Sequence, residues 1–302
     1  MTSKPLALAL LACLAGAPLL AAPAQAATPI NQTRPVAAHA RVDIENIKGR
    51  IQVRAWDKNE VRITGSLGKG VEKLVVEGDA QHLTVQVRYP RRSSDRNIEP
   101  TDLILDVPRG VDLEIDGVSA DISVMGTAGS SLDIESVSGD VTVGAAPREV
   151  SINSVSGDVR AVLHSANVDV ESVSGDIDLG GRLNGEIDIE TVSGNITIDS
   201  QRQRVRRVSF ASVSGDADVR VALADGGSIK TESVSGDTTL HLPKSLSARV
   251  RGESFSGDMD IPGANVIKPK FGPGSTVDHR YGSGSGEITI ENFSGDAELR
   301  LE

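Results

Sequence analysis

Cysteine is almost missing from this 302-residue sequence; the single copy is Cys13. It sits inside an N-terminal apolar run that reads as a removable export signal, so the mature chain is expected to hold no thiol. That excludes a disulfide framework, a cysteine nucleophile and a thiolate metal site. Aromatic residues are nearly as scarce at 2%, with one Trp, two Tyr and four Phe. The core must therefore be aliphatic and thin, and Trp56, Tyr89 and Tyr281 are too scattered to form a sugar-stacking cleft. Positive charge is short as well: 31 basic against 42 acidic side chains leave a net −11. Nucleic acid and anionic membrane surfaces both reward a basic face, so neither is an expected partner. The 3.6-residue period of an amphipathic helix is absent beyond the N-terminus.

The N-terminus carries its own pattern. Lys4 is the only charge before an apolar run over residues 6–22, and Ala24-Gln25-Ala26 supplies a small-x-small cleavage site. Pro5, Gly16, Pro18 and Pro23 interrupt the run, whereas a membrane-spanning helix wants about 20 uninterrupted apolar residues. Residues 1–26 are thus expected to be a signal peptide, the mature protein periplasmic or extracellular, with no membrane insertion after cleavage. Residues 10–13 (LLAC) also resemble a bacterial lipoprotein box. The apolar stretch continues past Cys13 without a polar tether, which makes a lipoprotein the minor alternative. Residues 27–41 are polar and proline-marked and read as a linker.

What the sequence has in abundance is one phrase. SVSGD stands at residues 136–140 and recurs at 154–158, 172–176, 191–195 (as TVSGN), 212–216 and 233–237, with Phe-bearing copies at 254–258 and 292–296. Its glycines are Gly139, Gly157, Gly175, Gly194, Gly215, Gly236, Gly257 and Gly295, in steps of 18, 18, 19, 21, 21, 21 and 38. Fixed-period self-similarity of this size means stacked units, each too small to bury its own apolar face. Apolar residues two apart flank each copy, as in Leu132, Ile134, Val141 and Val143, the period of a half-buried strand. The expected fold is all-β: a single-chain parallel β-solenoid over residues 42–302 with 18–21 residues per coil. The hexapeptide rhythm of the left-handed form is absent, which favours a right-handed β-helix. Val137, Val155, Val173 and Val192 are counted with the interior, giving ladders of valine over valine.

Residues 42–112 are less regular than the repeats of 113–302. Residues 42–53 already follow the repeat pattern, Glu77-Gly78-Asp79 between apolar runs suggests a hairpin turn, and residues 91–96 read as a solvated loop. The basic run over 201–207 is expected to be another charge-balancing loop. At the far end residues 288–299 form a complete repeat, expected to leave an uncovered terminal coil whose unpaired edge invites end-to-end self-association.

Candidate chemistry centres on the acidic column Asp140, Asp158, Asp176, Asp216, Asp237 and Asp258, with Asn195 interrupting it and Asp296 closing it. Stacked at about 4.8 Å such carboxylates repel unless bonded locally or bridged by a hard cation. The favoured reading is that each Asp caps its own corner in an Asx-type turn after a glycine of positive φ; a calcium-binding column is the alternative. A carbohydrate-active β-helix would need a singular acid–base cluster, and these acids are repetitive. His39, His82, His164, His241 and His279 show no ligand or triad spacing and are expected on the surface. No catalytic residue, cofactor or metal centre follows from this reading.

The reiterated SVSGD corner, the opening residues 42–61 (VDIENIKGRIQVRAWDKNEV) and the closing residues 281–301 (YGSGSGEITIENFSGDAELRL) resemble the bacterial "putative adhesin" family of β-strand-repeat proteins of unknown function. The resemblance covers residues 40–302 and implies a β-solenoid, envelope or extracellular placement and a role in contact with a partner. It brings no catalytic or binding residues. The expected function is an exported, non-enzymatic, adhesin-like or envelope scaffold module. Its expected partner is a protein or an envelope polysaccharide.

Overall fold

The computed structural model describes residues 28–90, 98–270 and 273–302; the expected export signal, Cys13 and the 91–96 loop lie outside the described residues. Among the described residues there is strand and turn but no helix. One repeat shows how the coil is made. Strand β10 (Glu149–Ser156) is followed by the Gly157 elbow, then β11 (Val159–Leu163), then a short return turn to β12 (Asn167–Ser174). β12 pairs in parallel with β10, Val150 against Val168 and Ile152 against Val170. β11 pairs likewise with β13 (Ile177–Gly181). Every rung thus has a first arm before the elbow and a second arm after it, and each arm lies in a ladder with its counterparts.

The first-arm ladder runs through β2 (Arg41–Trp56), β7 (Asp112–Met125), β8 (Ser131–Ser138), β10, β12, β14 (Glu186–Ser193), β15 (Ile196–Ser214) and β16 (Ala217–Ser235). The second-arm ladder uses the later halves of β2 and β7, then β9 (Val141–Ala145), β11, β13 and the early halves of β15 and β16. Inward residues of both arms, such as Val150, Ile152, Val159, Ala161 and Leu163, form one aliphatic core between them. Among the described residues Phe210 is the only aromatic in that core. The all-β, solenoid-like expectation therefore stands. The basic run of 201–207, expected as a loop, lies within β15, where Gln201 and Arg202 turn the chain at φ 51° and 64°.

The elbow is where sequence and backbone geometry meet. Gly157 sits at φ 125°, and a Cβ placed on it would lie 2.3 Å from the carbonyl oxygen of Gly139 in the rung below. Both the dihedral and the space therefore require glycine. Strict alternation inward from Ile134 puts Ser136 inside and Val137 outside. The SVSGD valines are consequently not core residues: Val137, Val155, Val173 and Val192 are 48–49% exposed. Counting them as interior had crossed the elbow one residue too early. The buried position is a small one, Ser or Thr, where the two arms converge.

Both ends of the stack depart from sequence order. At the first end β5 (His82–Arg88) and β6 (Thr101–Pro108) together form a rung outside β2. Antiparallel strands cover it: β4 (Lys73–Gly78) on β5, and β3 (Glu60–Leu67) on β6. The Gly78 turn does join a hairpin. Residues 28–35, within the segment expected as a linker, form strand β1 (Thr28–Pro35), antiparallel to β3. At the other end β21 (Gly286–Ser294) and β22 (Ala297–Leu301) lie inside the stack. They pair on one side with β16 and β17 (Thr238–Leu242) and on the other with β18 (Ala248–Ser256) and β19 (Met259–Asp260). Strand β20 (Ser275–Tyr281) covers β18 antiparallel. The closing repeat is therefore not an open terminal coil; it has neighbours on both edges.

Gly175→Ala tests the elbow directly, because its Cβ would meet the Gly157 carbonyl oxygen at 2.2 Å with φ at 129°. Denaturant unfolding should show a loss of about 2–4 kcal/mol, whereas Gly226→Ala, at φ 73° but with open space around its Cβ, should cost only the left-handed backbone strain of about 1–2 kcal/mol.

Candidate functional site

The corner aspartates form a continuous chain, but not the one expected. Each carboxylate accepts from the backbone N–H of the equivalent residue one rung on. Asp158 N–H donates to Asp140 Oδ1 at 3.1 Å, Asp176 N–H to Asp158 Oδ1 at 3.1 Å and Asn195 N–H to Asp176 Oδ1 at 2.8 Å. The chain continues through Asp216, Asp237 and Asp296 to Asp258, in spatial rather than sequence order. The side chain supplies an acceptor where the turned glycine peptide leaves the ladder. Beside it, Gly157 N–H donates to Ser174 O and Val159 N–H to Asp176 O. Asn195 fits this column because its amide oxygen accepts as a carboxylate does. The Asp176 amide, helped by the Arg160 ion pair, holds the Asp158 carboxyl below its ordinary value. Among the described residues no group of three or more His, Cys, Asp or Glu is placed to hold a metal ion.

The histidines do not come together either, but one is not a surface residue. His241 is 4% exposed, with Nδ1 2.6 Å from Glu302 Oε1 and Nε2 3.4 Å from Asp218. It points outward from β17 and is covered by these acids and by neighbouring rungs, a burial that strand periodicity does not show.

The larger feature lies on the outer face of the first arm. Because the rungs are in register, the elbow valines fall into one exterior column: Val118, Val137, Val155, Val173, Val192, Val213, Val234, Phe293 and Phe255 in spatial order, each 43–56% exposed. The two phenylalanines stack with centroids 4.8 Å apart and planes 5° from parallel. Nine rungs at about 4.8 Å give a column about 38 Å long. It floors an open groove of about 1610 Å³, walled at one end by Ile267, Pro269 and residues 273–276. A run of exposed apolar surface this long marks a contact site on a monomer. Strict period-2 counting from Ile134 would have placed these valines outside; the helpful signal was an apolar residue repeated at an outward position.

A second column runs beside the first. Asp116, Glu135, Glu171, Glu190, Glu232, Glu291 and Glu253 share one outward position, two residues before the valine or phenylalanine. Lys230 pairs with Glu232 and Arg41 with Glu114, whereas Glu135, Glu171 and Glu190 have no ion pair among the described residues. Burial, then repulsion from Glu135, Glu45, Asp133 and Asp43, pushes Asp116 up; burial, then Asp188 and Glu171, does the same to Asp169. The groove is thus apolar along its floor and negative along one rim. Among the described residues its lining repeats the same acids from rung to rung.

Two measurements follow. Asp176→Asn should unfold like the parent, as Asn195 does the same work, while Asp176→Ala should lose about 1 kcal/mol; a melting temperature raised by millimolar calcium would instead give the column to a cation. Two outward acids of the first arms, Asp116 on the rim and Asp169 in the column next to it, have the opposite pH sign from the corner. Asp116 and Asp169 take up protons more readily folded than unfolded, so their contribution makes stability fall as pH rises from the ordinary aspartate value of 3.8 through their raised values. Asp158, held low, contributes stability that is present above 3.8 and lost as pH falls through its folded value. Asp169→Asn should therefore gain a few tenths of a kcal/mol at pH 7 in low salt, a gain that shrinks as salt screens the column.

A family model described as Toastrack DUF4097 matches residues 39–225. A solved structure described as a "putative lipid binding protein" from Parabacteroides distasonis aligns at 10% identity with a TM-score of 0.51. The alignment covers 90% of this chain and 97% of that one. A "putative adhesin" from the same organism aligns at 12% identity with a TM-score of 0.45, over 91% of this chain and 98% of the other. At 10% identity the first of these likenesses shows the fold alone. None of the curated proteins matches this chain in sequence.

Proposed function

The chain belongs to the Toastrack DUF4097 family, and from that premise we propose that it is an exported, non-enzymatic, adhesin-like module whose outer groove holds an apolar chain of an envelope lipid. The observation that carries this is the unbroken exterior column from Val118 to Phe255. The coil, which we read as right-handed, presents it as a rigid straight track. A hydrocarbon chain suits such a floor because it needs no register. An extended peptide repeats its side chains on one face about every 6.7 Å, out of step with rungs about 4.8 Å apart. It would also find no backbone edge along this face, since the first arms already pair with one another on both sides. The negative rim disfavours an anionic headgroup beside it and accepts a zwitterionic or cationic one. A fold relative is itself described as a putative lipid binding protein.

The magnitudes require length. Covering one half-exposed valine gives about 1 kcal/mol, so a ligand touching two or three rungs cannot offset association costs of about 4–15 kcal/mol. Lysophosphatidylcholines with chains from C10 to C18 should therefore bind with affinity rising steeply with chain length, measured by calorimetry on the purified protein. Val173→Glu combined with Val192→Glu should weaken the longest by about tenfold or more, with the circular dichroism unchanged. Affinity indifferent to chain length and to both substitutions sinks the lipid reading, and binding of extended peptides in its place assigns the groove to protein.

A further inference from the structure

The elbow glycines step by 21 residues from Gly194 to Gly215, Gly236 and Gly257. Continuation of that winding would lay β18 directly on β16. Instead the rung of Gly295 separates them: Ile288 pairs with Ile229 on one side and Val250 on the other, and Asn292 with Ser233 and Ser254. The inserted rung is geometrically ordinary. A Cβ on Gly295 would meet the Gly236 carbonyl oxygen at 2.1 Å, and one on Gly257 the Gly295 carbonyl oxygen at 2.1 Å, as for Gly236 over Gly215. Its corner bonds are the standard ones, Asp296 N–H to Asp237 Oδ1 and Asp258 N–H to Asp296 Oδ1, both 2.8 Å. Nothing in these contacts depends on β21 and β22 being joined to β20; any strand carrying the repeat pattern satisfies them.

We infer that the gap between β16–β17 and β18–β19 is a strand-accepting slot, filled within one chain by β21–β22 and between chains by the β21–β22 of a second copy. The partner is defined by chemistry: inward aliphatic residues at alternate positions, a small buried residue, glycine at positive φ, then an acceptor side chain at the corner. The chain's own segment is favoured when dilute because its linker keeps it at high effective concentration. Exchange becomes competitive when chains refold together at high concentration, as in domain swapping. The inference is independent of what the groove binds, since the exchanged rung restores the same exterior column.

Covalent capture tests it on the full-length chain in a Cys13→Ser background. Lys230 faces Thr289, and Arg251 faces Thr289 from the other side. A chain with Lys230→Cys and Thr289→Cys together should cross-link internally, which establishes that the geometry permits the bond. Chains with Lys230→Cys alone and Thr289→Cys alone, unfolded and refolded as a concentrated mixture, should give a disulfide-linked heterodimer. Its share should rise severalfold with refolding concentration and vanish when the two are refolded apart and then mixed. Arg251→Cys with Thr289→Cys should behave alike. Ser151→Cys with Asp169→Cys, on rungs joined directly by one return turn, should give none. Internal cross-links without heterodimers overturn the inference. So do heterodimers through Lys230→Cys but not Arg251→Cys, which would mean that the whole 248–302 unit exchanges, and heterodimers equally abundant at the Ser151–Asp169 pair.

Discussion

The hydrogen bonding of one rung to the next through a glycine elbow is the constraint from which the rest of this molecule follows. An isolated rung of thirteen or so strand residues leaves nearly every backbone donor and acceptor unmet. Laying the next rung on it in parallel satisfies them, provided the chain turns at the same place each time. The turn rotates a peptide out of the ladder, and the Asp or Asn side chain fills the missing acceptor role for the rung that follows. Glycine is fixed there twice over, by a positive φ and by the carbonyl of the neighbouring elbow. The aliphatic core is then a consequence: residues in register stack like on like, and Val, Ile and Leu do so in a narrow space that aromatic rings would overfill.

Register also writes the surface. A position that points outward does so on every rung, so a single residue choice becomes a column rather than a point. This gives the protein its negative rim and its apolar floor side by side. Stacking brings like residues together many times, whereas a catalytic cluster needs unlike residues brought together once. A surface built this way presents the same polarity along a line. Ile267, Pro269 and residues 273–276 close one end of that line.

The ends show the same constraint from the other side. A parallel stack terminates in rows of unpaired backbone groups, which are a hazard for aggregation. Here antiparallel strands cover outer rungs at both ends, β3 and β4 at one and β20 at the other. At the second end the chain passes beyond β18 and returns beneath it, so that the closing repeat is held on two sides. Pairing at both edges secures it better than a place on the outside would, and the cost is a rung whose neighbours are not its neighbours in sequence.

Much of this was legible before any coordinates. The recurring SVSGD phrase and its 18–21-residue step determined strand, elbow, parallel stacking and the need for glycine, because those are local demands repeated without exception. Other points are ones that local pattern does not decide. Val137 and its counterparts lie next to a turn, and whether a residue beside a turn faces in or out depends on where the backbone rotates. The corner aspartates were recognisable as hydrogen-bond acceptors, but whether each serves its own rung or the next is settled by the rise between rungs. His241 follows the outward alternation and is buried by acids from elsewhere in the chain. Strand order at the far end was decided by tertiary structure alone: equal repeats can pair with any other of their kind, so sequence specifies that a rung will stack and only the assembled fold specifies upon which.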